Sequence, residues 1–262
     1  YMLLDNNDIL SSEGISCYLD KKMDIYAYKT IDSTNTQMKK FAVDNHVDYA
    51  LIVAEHQSAG RGRFNRVFYS PEKQGIYMSL LLRYNQTFND ATLITIQSAV
   101  AIKRVIKKLC GIDTKIKWVN DLYYQGKKIC GILTEAISDF ESRMIEAIII
   151  GIGINVSTKQ FPEELLDKAT SLGIENINRS KFIALIVNEI LKIIDEDFNN
   201  VLNEYKDASC VLNKKVEFRY KGQIYNGIAK DINNLGNLIV KCDNQEYTLN
   251  SGEVSIIQKN YE

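Results

Sequence analysis

The sequence predicts an α+β fold: a mixed, largely antiparallel sheet backed by helices, followed by a small antiparallel barrel. Three observations point there. Apolar runs of strand length recur at Ile25–Thr30, Leu51–Ala54, Ile76–Leu82 and Met144–Val156. Ala91–Leu109 and Ser180–Tyr205 instead repeat apolar residues at three- and four-residue spacing, the period of a helix face packed on a core. After Cys210 the texture shifts to short alternating segments divided by Lys-Gly, Asn-Asn-Leu-Gly and Asp-Asn turns. A length of 262 residues suffices for two modest domains, and the shift in texture places their boundary near residue 210.

In chain order, Ile25–Thr30 (IYAYKT) reads as the first strand. Asp32 or Ser33 has the side chain of a helix N-cap, and Thr34 to Asp44 carries Met38, Phe41 and Ala42 at helical spacing. Leu51–Ala54, a second strand, leads into the glycine- and arginine-rich stretch His56–Pro71, and Ile76–Leu82 is a third. The helix over Ala91–Leu109 is expected to stop at Cys110-Gly111, where glycine suits the cap. Ile116–Trp118 and Leu122–Tyr124 are short strand pieces. Gln125-Gly126 then turns the chain back into Ile129–Ile137 as a hairpin. Met144–Val156 is the most apolar strand, interrupted by Gly151 and Gly153. Ser180–Tyr205 is expected as one helix, its stripe running through Phe182, Ile186, Ile190, Ile194, Phe198 and Val201. Lys215–Tyr220, Gln223–Asp231, Asn237–Cys242 and Glu246–Asn250 supply the barrel strands.

Composition narrows the function. A net charge of −1 argues against a protein devoted to non-specific nucleic-acid binding. No apolar run reaches the roughly 18 residues of a membrane span, and no charged-then-apolar leader opens the chain. Five cysteines without a CxxC pair suggest neither a disulfide framework nor a zinc site. Two histidines, His46 and His56, make a histidine metal site or a Ser-His triad a poor reading. The expected setting is cytoplasmic, without membrane or nucleic-acid partners.

Gly60-Arg61-Gly62-Arg63, followed by Arg66, is poor core material. Glycines let a backbone approach a ligand, and guanidiniums offer forked donors to phosphate or carboxylate. Taken alone the stretch fits a solvated loop as well as an anion site. It matches neither GxxxxGK[ST] nor a strand-borne GxGxxG. Lys117-Trp118-Val119-Asn120-Asp121 reads either as a turn or as a site where Asp121 holds Mg²⁺ and Asn120 bonds a phosphate or base. Lys128 joins such a site only if it alternates inward beside Gly131. Gly151-Ile152-Gly153-Ile154-Asn155 marks either a bulge or a close ligand approach. Ser33-Thr34-Asn35 is most simply a helix cap, and Trp118 a core residue.

In combination and in this order, these pieces resemble the biotin protein ligases. The matching stretches are DSTNTQMKK (32–40), AEHQSAGRGRFNRVFYSP (54–71), IKWVNDLYYQGKKICGILTE (116–135) and IGIGINV (150–156). The resemblance covers roughly residues 25–257. It implies a class II synthetase-like biotin/lipoate ligase domain over 25–210 and an SH3-like barrel over 211–262, after an N-terminal segment or residual linker at 1–24. It also implies a two-step reaction. Biotin and MgATP form biotinoyl-5′-AMP, which then acylates a lysine of a biotin carrier domain, that of acetyl-CoA carboxylase or a related carboxylase. A homodimer formed through a sheet edge is a further implication.

By the same resemblance, Lys128, Arg63 and Asp121 are the catalytic candidates, with Asp121 the candidate contact for Mg²⁺. Ser33, Thr34, Asn35, Gln57, Gly60, Arg61, Arg63, Lys128 and Gly131 are candidates for biotin. Arg61, Arg66, Phe68, Lys117, Asn120, Lys128 and Asn155 are candidates for ATP. The charges suit the first step, in which a carboxylate must approach a polyanionic phosphate and fixed cations must offset the repulsion. Two departures stand out: Val119 replaces a more usual proline, and Phe68 replaces a tryptophan that stacks on adenine. Lipoate protein ligase is the nearest rival. A truncated biotin-responsive repressor is another, because residues 8–22 resemble the linker after a winged helix-turn-helix domain. About 24 residues before the first strand are too few for that domain itself.

Overall fold

The centre of the computed structural model is a seven-stranded sheet in the order β1-β2-β3-β7-β6-β5-β4. Residues 10–83, 91–138, 145–243 and 245–257 are described. The most apolar strands lie in the middle. β3 (Gly75–Leu82) is buried along its whole length, and β7 (Ile145–Asn155) over all but its first two residues. Strands covered on both faces lose the polar alternation of a half-exposed strand, which is why these two read as continuous apolar runs. The expected Met144 start lies outside the described residues.

β1 (Asp24–Ile31) runs parallel to β2 (Tyr49–Gln57), and every other pairing in this sheet is antiparallel. A parallel pair needs a crossover, which is helix α2 (Thr34–Asp44), capped by Ser33 rather than Asp32. Met38 and Ala42 of α2 pack on Ile52, Leu81 and Ile149 across one face of the sheet. The opposite face carries α3 (Ala91–Cys110), which ends at Gly111 with φ +70°. The same face carries two further helices, and β4 (Lys115–Lys117) with the hairpin of β5 (Asp121–Tyr124) and β6 (Lys127–Ser138) completes the sheet beyond β7.

Those two helices were expected as one. The chain breaks between α4 (Arg179–Ile193) and α5 (Phe198–Ala208), although the apolar stripe continues through both. Asp197 accepts a hydrogen bond from the Asn199 backbone N–H and starts a new helix, the local competition for which aspartate is suited. The break gathers three carboxylates around Arg104 of α3, which bonds Glu189, Glu196 and Glu204.

The C-terminal part is a five-stranded antiparallel sheet of β8 (Lys215–Tyr220), β9 (Gln223–Ile232), β10 (Leu238–Cys242), β11 (Gln245–Leu249) and β12 (Val254–Ile256), in the order β11-β10-β9-β8-β12. Among the described residues no pairing joins β11 to β12. Its apolar side chains (Val216, Phe218, Leu238, Val240) merge with Trp118 and the α3 residues into one core. Trp118 Nε1 donates to Gly236 O at 2.9 Å, tying the two sheets together, and Tyr205 Oη of α5 donates to Val119 O at 3.0 Å beside it.

The N-terminal segment is docked as well. α1 (Ser12–Ser16) buries Ile15, and the Leu10 backbone N–H reaches Glu55 Oε1 at 2.9 Å. Positions 1–9 lie outside the described residues. No described helix is long and apolar enough to cross a membrane.

Candidate active site

A cavity of about 670 Å³ opens where the hairpin β5–β6, strand β7, the loop after β2 and the Gly252–Ser255 edge of the C-terminal sheet meet. Every candidate residue except Gly60 lines it. Gly60 sits just behind: a Cβ there would stand 2.5 Å from Phe68 O. The close approach that glycine permits at this point is therefore by the chain's own backbone.

One end of the cavity is a buried polar array. The Thr34 backbone N–H and hydroxyl both donate to Gln57 Oε1, at 2.9 and 3.1 Å, and Gln57 Nε2 donates to Ser70 Oγ at 2.9 Å. Ser79, fully buried in the middle of β3, meets both Thr34 Oγ1 and Asn35 Oδ1. A polar cluster at the head of a helix and the core of a sheet costs stability unless fully bonded. Ser33 caps α2 as the sequence suggested, but Thr34 and Asn35 turn into the cavity instead of serving the helix end.

The other end is cationic. Lys128 does alternate inward: a Cβ on Gly131 would lie 2.9 Å from its Nζ. Its Nζ stands 2.7 Å from Asp121 Oδ1, an ion pair by distance in which the carboxylate oxygen receives no well-directed hydrogen bond. Arg63 Nη1 donates to Asn120 Oδ1 at 3.0 Å, and Asn120 Nδ2 donates to Ile132 O at 2.8 Å. Burial lowers the Arg63 pKa against the opposing pull of Asp121 and Glu253. Arg61 forks onto Glu135, and Arg66 onto Glu253. Lys117 lies 5.6 Å from the Tyr123 ring centre and lines the wall.

The arginine loop folds back on itself. Arg61 bridges Val67, the Gly62 N–H bonds Arg66 O at 2.7 Å, and Phe64 and Asn65 occupy the left-handed region at φ 55° and 60°. The glycines of β7 are neither a bulge nor an open cradle. Pairing runs unbroken through Gly151 and Gly153 on both sides. The Asn35 amide fills the space over Gly151, and the Phe68 ring the space over Gly153. Asn155 Nδ2 bonds Thr170 O at 3.0 Å, while its buried Oδ1 lacks a partner.

Four participants escaped the sequence reading: Ser70, Ser79, Glu135 and Glu253. Only Ser79 carried a local signal, as a lone hydroxyl in an apolar strand. Among the described residues no three His, Cys, Asp or Glu side chains gather as metal ligands, and neither histidine lines the cavity.

Comparison with known proteins agrees with this layout. Residues 27–155 match the biotin/lipoate A/B protein ligase family, and residues 211–256 the biotin protein ligase C-terminal domain. The bifunctional ligase/repressor BirA of Bacillus spizizenii is 44% identical over 144 residues, 54% of this chain but only 44% of that protein's own length. The biotin–[acetyl-CoA-carboxylase] ligase of Mycobacterium tuberculosis is 27% identical over 234 residues, 85% of each chain. The solved biotin protein ligase of Aquifex aeolicus in complex with biotin and ATP superposes with a TM-score of 0.75 at 26% identity, over 90% of this chain and 99% of that one. With both matches falling in chain order on the two sheets that enclose the cavity, the chain belongs to the biotin protein ligase family.

Proposed function

We propose that the chain activates biotin with MgATP and transfers it to a lysine of a biotin carrier domain. The observation that carries this reading is the meeting of Arg61, Arg63 and Lys128 in one cavity, opposite a buried polar array. In the first step a biotin carboxylate oxygen bonds to the α-phosphorus of ATP, and the bond to pyrophosphate breaks. Two anions must come together, and the three cations supply the offsetting charge without reorganising. The Mg²⁺ arrives as part of MgATP. A metal that prefers phosphate oxygens and one or two carboxylates needs no protein cage, and Asp121 is the carboxylate at hand. In the second step the carrier lysine attacks the carbonyl carbon and AMP leaves. The attacking amine must be neutral, so Asp121 accepts its proton.

The polar array suits a ureido ring. Thr34 and Gln57 can exchange hydrogen bonds with its N–H and C=O groups, whereas a dithiolane would leave them unsatisfied. That favours biotin over lipoate. The unpaired Asn155 Oδ1 is an acceptor for an exocyclic amine such as that of adenine, and Phe68 offers a ring face beside it. Residues 25–210 serve in this reading as the catalytic unit and 211–262 as a module closing the nucleotide side. The carrier is that of acetyl-CoA carboxylase or a relative, the setting cytoplasmic, and a homodimer forms at the sheet edge where, among the described residues, β1 pairs only with β2.

Incubation with ATP, Mg²⁺, biotin and a carrier domain, read by avidin, tests the proposal. ATP-dependent label is expected, with none from lipoate detected in a parallel lipoyl assay. Absence of biotin label overturns the reading, and retention on DNA without label favours the repressor. A second expectation concerns the arginine loop, in which Arg61 and Arg66 are held by carboxylates and a bound anion would add contacts of its own. Trypsin should cut at residues 60–68 more slowly with biotin plus ATP present. Equal cutting in both states removes loop closure from the mechanism.

A further inference from the structure

Glu135 lies outside the cavity wall yet holds two side chains that form it. Its carboxylate accepts four hydrogen bonds: a fork from Arg61 Nη1 and Nη2 at 3.0 Å each, one from Lys39 Nζ at 2.7 Å and one from Asn35 Nδ2 at 3.0 Å. The donors come from the loop after β2 and from α2, and the acceptor stands near the end of β6. Glu135 is the fixed partner, its side chain 16% exposed against 38% for Arg61 and 40% for Lys39.

Burial raises the Glu135 pKa, but the hydrogen bonds from Lys39 and Asn35 and the Lys39 and Arg61 charges outweigh it and hold the carboxyl below its usual range. The pairs are therefore complete above that range and are lost as pH falls through the lowered value. The fork uses two of the five guanidinium N–H groups and leaves three. Among the described residues Arg61 bonds no other side chain. One carboxylate between two cations also leaves the cluster with surplus positive charge at the cavity.

We infer that Glu135 is a positioning residue, fixing the Arg61 guanidinium for the anionic part of the substrate and the Asn35 amide at the polar end. A lone arginine on a glycine-flanked loop has many rotamers to lose on binding. A forked carboxylate removes that freedom beforehand, which is preorganisation. Asn35 is fixed likewise, because Nδ2 also donates to Leu133 O at 3.1 Å while Oδ1 faces Ser79. The inference rests on the ligase reading, and its test keeps the two apart.

Glu135→Gln keeps the volume but turns a donor toward Arg61 or Lys39, so the fork breaks. In adenylate formation followed by pyrophosphate release, KM for biotin should rise about 10-fold, with kcat changed less than about threefold. Arg61→Ala should raise KM at least as much, and the double variant should lose less than the product of the two single losses. A wild-type KM for Glu135→Gln, or losses that multiply in the double variant, overturns the role. If Glu135→Gln is unfolded by circular dichroism, Arg61→Lys takes its place: it keeps the charge but cannot make the fork. The same KM rise is then expected, and an unchanged KM overturns the role. A wild-type chain that forms no adenylate would instead count against the ligase reading itself.

Discussion

Lys128→Ala should lower adenylate formation about 10²- to 10³-fold, the loss typical of removing one preorganised donor from a developing charge. Lys128 combines three features that no other residue in the cavity shares. It stands on a strand, it is aimed inward by the hairpin, and it faces the space that Gly131 leaves open. Its removal does more than subtract one positive charge. Asp121, now 2.7 Å from the ammonium, would be left with a buried and uncompensated oxygen facing the incoming phosphates, adding repulsion to the lost attraction. Lys128→Arg should not restore the rate, because a guanidinium is bulkier than the ammonium that occupies the space left by the missing Gly131 side chain. Lys127→Ala is the control. That neighbour bonds Leu166 O at 2.7 Å and lies outside the cavity, so it should retain wild-type rates. Pyrophosphate exchange and avidin labelling both measure the outcome, and a Lys128→Ala enzyme retaining a tenth of the activity would not fit this site.

Glu55→Ala should cost about 3–5 kcal/mol of stability, the penalty for breaking a buried, forked ion pair by removing its carboxylate. Glu55 and Arg179 are bound side by side, Oε2 to Nη1 at 2.7 Å and Oε1 to Nη2 at 3.1 Å, with side chains 6% and 3% exposed. Glu55 also accepts the Leu10 N–H, and Arg179 Nη1 reaches Gly75 O at 3.2 Å. The pair thus connects the N-terminal segment, β2, β3 and the start of α4. Truncating the carboxylate leaves a guanidinium in a dry interior, with no water to repay its lost hydration. Glu55→Leu combined with Arg179→Met should lose less than either single change, since no charge then remains to be solvated. Urea denaturation of the three variants decides it. A Glu55→Ala loss under about 1 kcal/mol would mean the pair is solvated in solution.

The legible and illegible parts of the fold divide on physical lines. α2 was readable because Ser33 announces its start and Met38 and Ala42 face the sheet. The end of α3 was readable because Gly111 adopts the left-handed backbone its position suggests. The break between α4 and α5 was not, since an apolar stripe carries no mark of a local stop and one capping aspartate among many acidic residues is silent. β12 is only three residues long, too short for alternation to register. At the site, the candidate residues were found and the partners that hold them were not, although Ser70 and Glu135 lie within the matching stretches. Glu135 lies 74 positions from Arg61 and Glu253 lies 187 positions from Arg66. No local pattern can announce a contact made only by folding. Gly151 and Gly153 read in the sequence as either a bulge or a close ligand approach, whereas the pairing is unbroken and the chain's own Asn35 and Phe68 occupy the space over them.

The merging of apolar side chains from both sheets bears on how such a chain can change over time. Trp118, Leu238 and Phe218 share one interior, so a substitution that swells one sheet must be matched by shrinkage in the other. Hybrids spliced from two diverged homologues near position 210 would inherit mismatched volumes at that seam and should melt earlier than either parent. Drift in the C-terminal strands is thereby tethered to drift in α3, and the two halves age as a single unit.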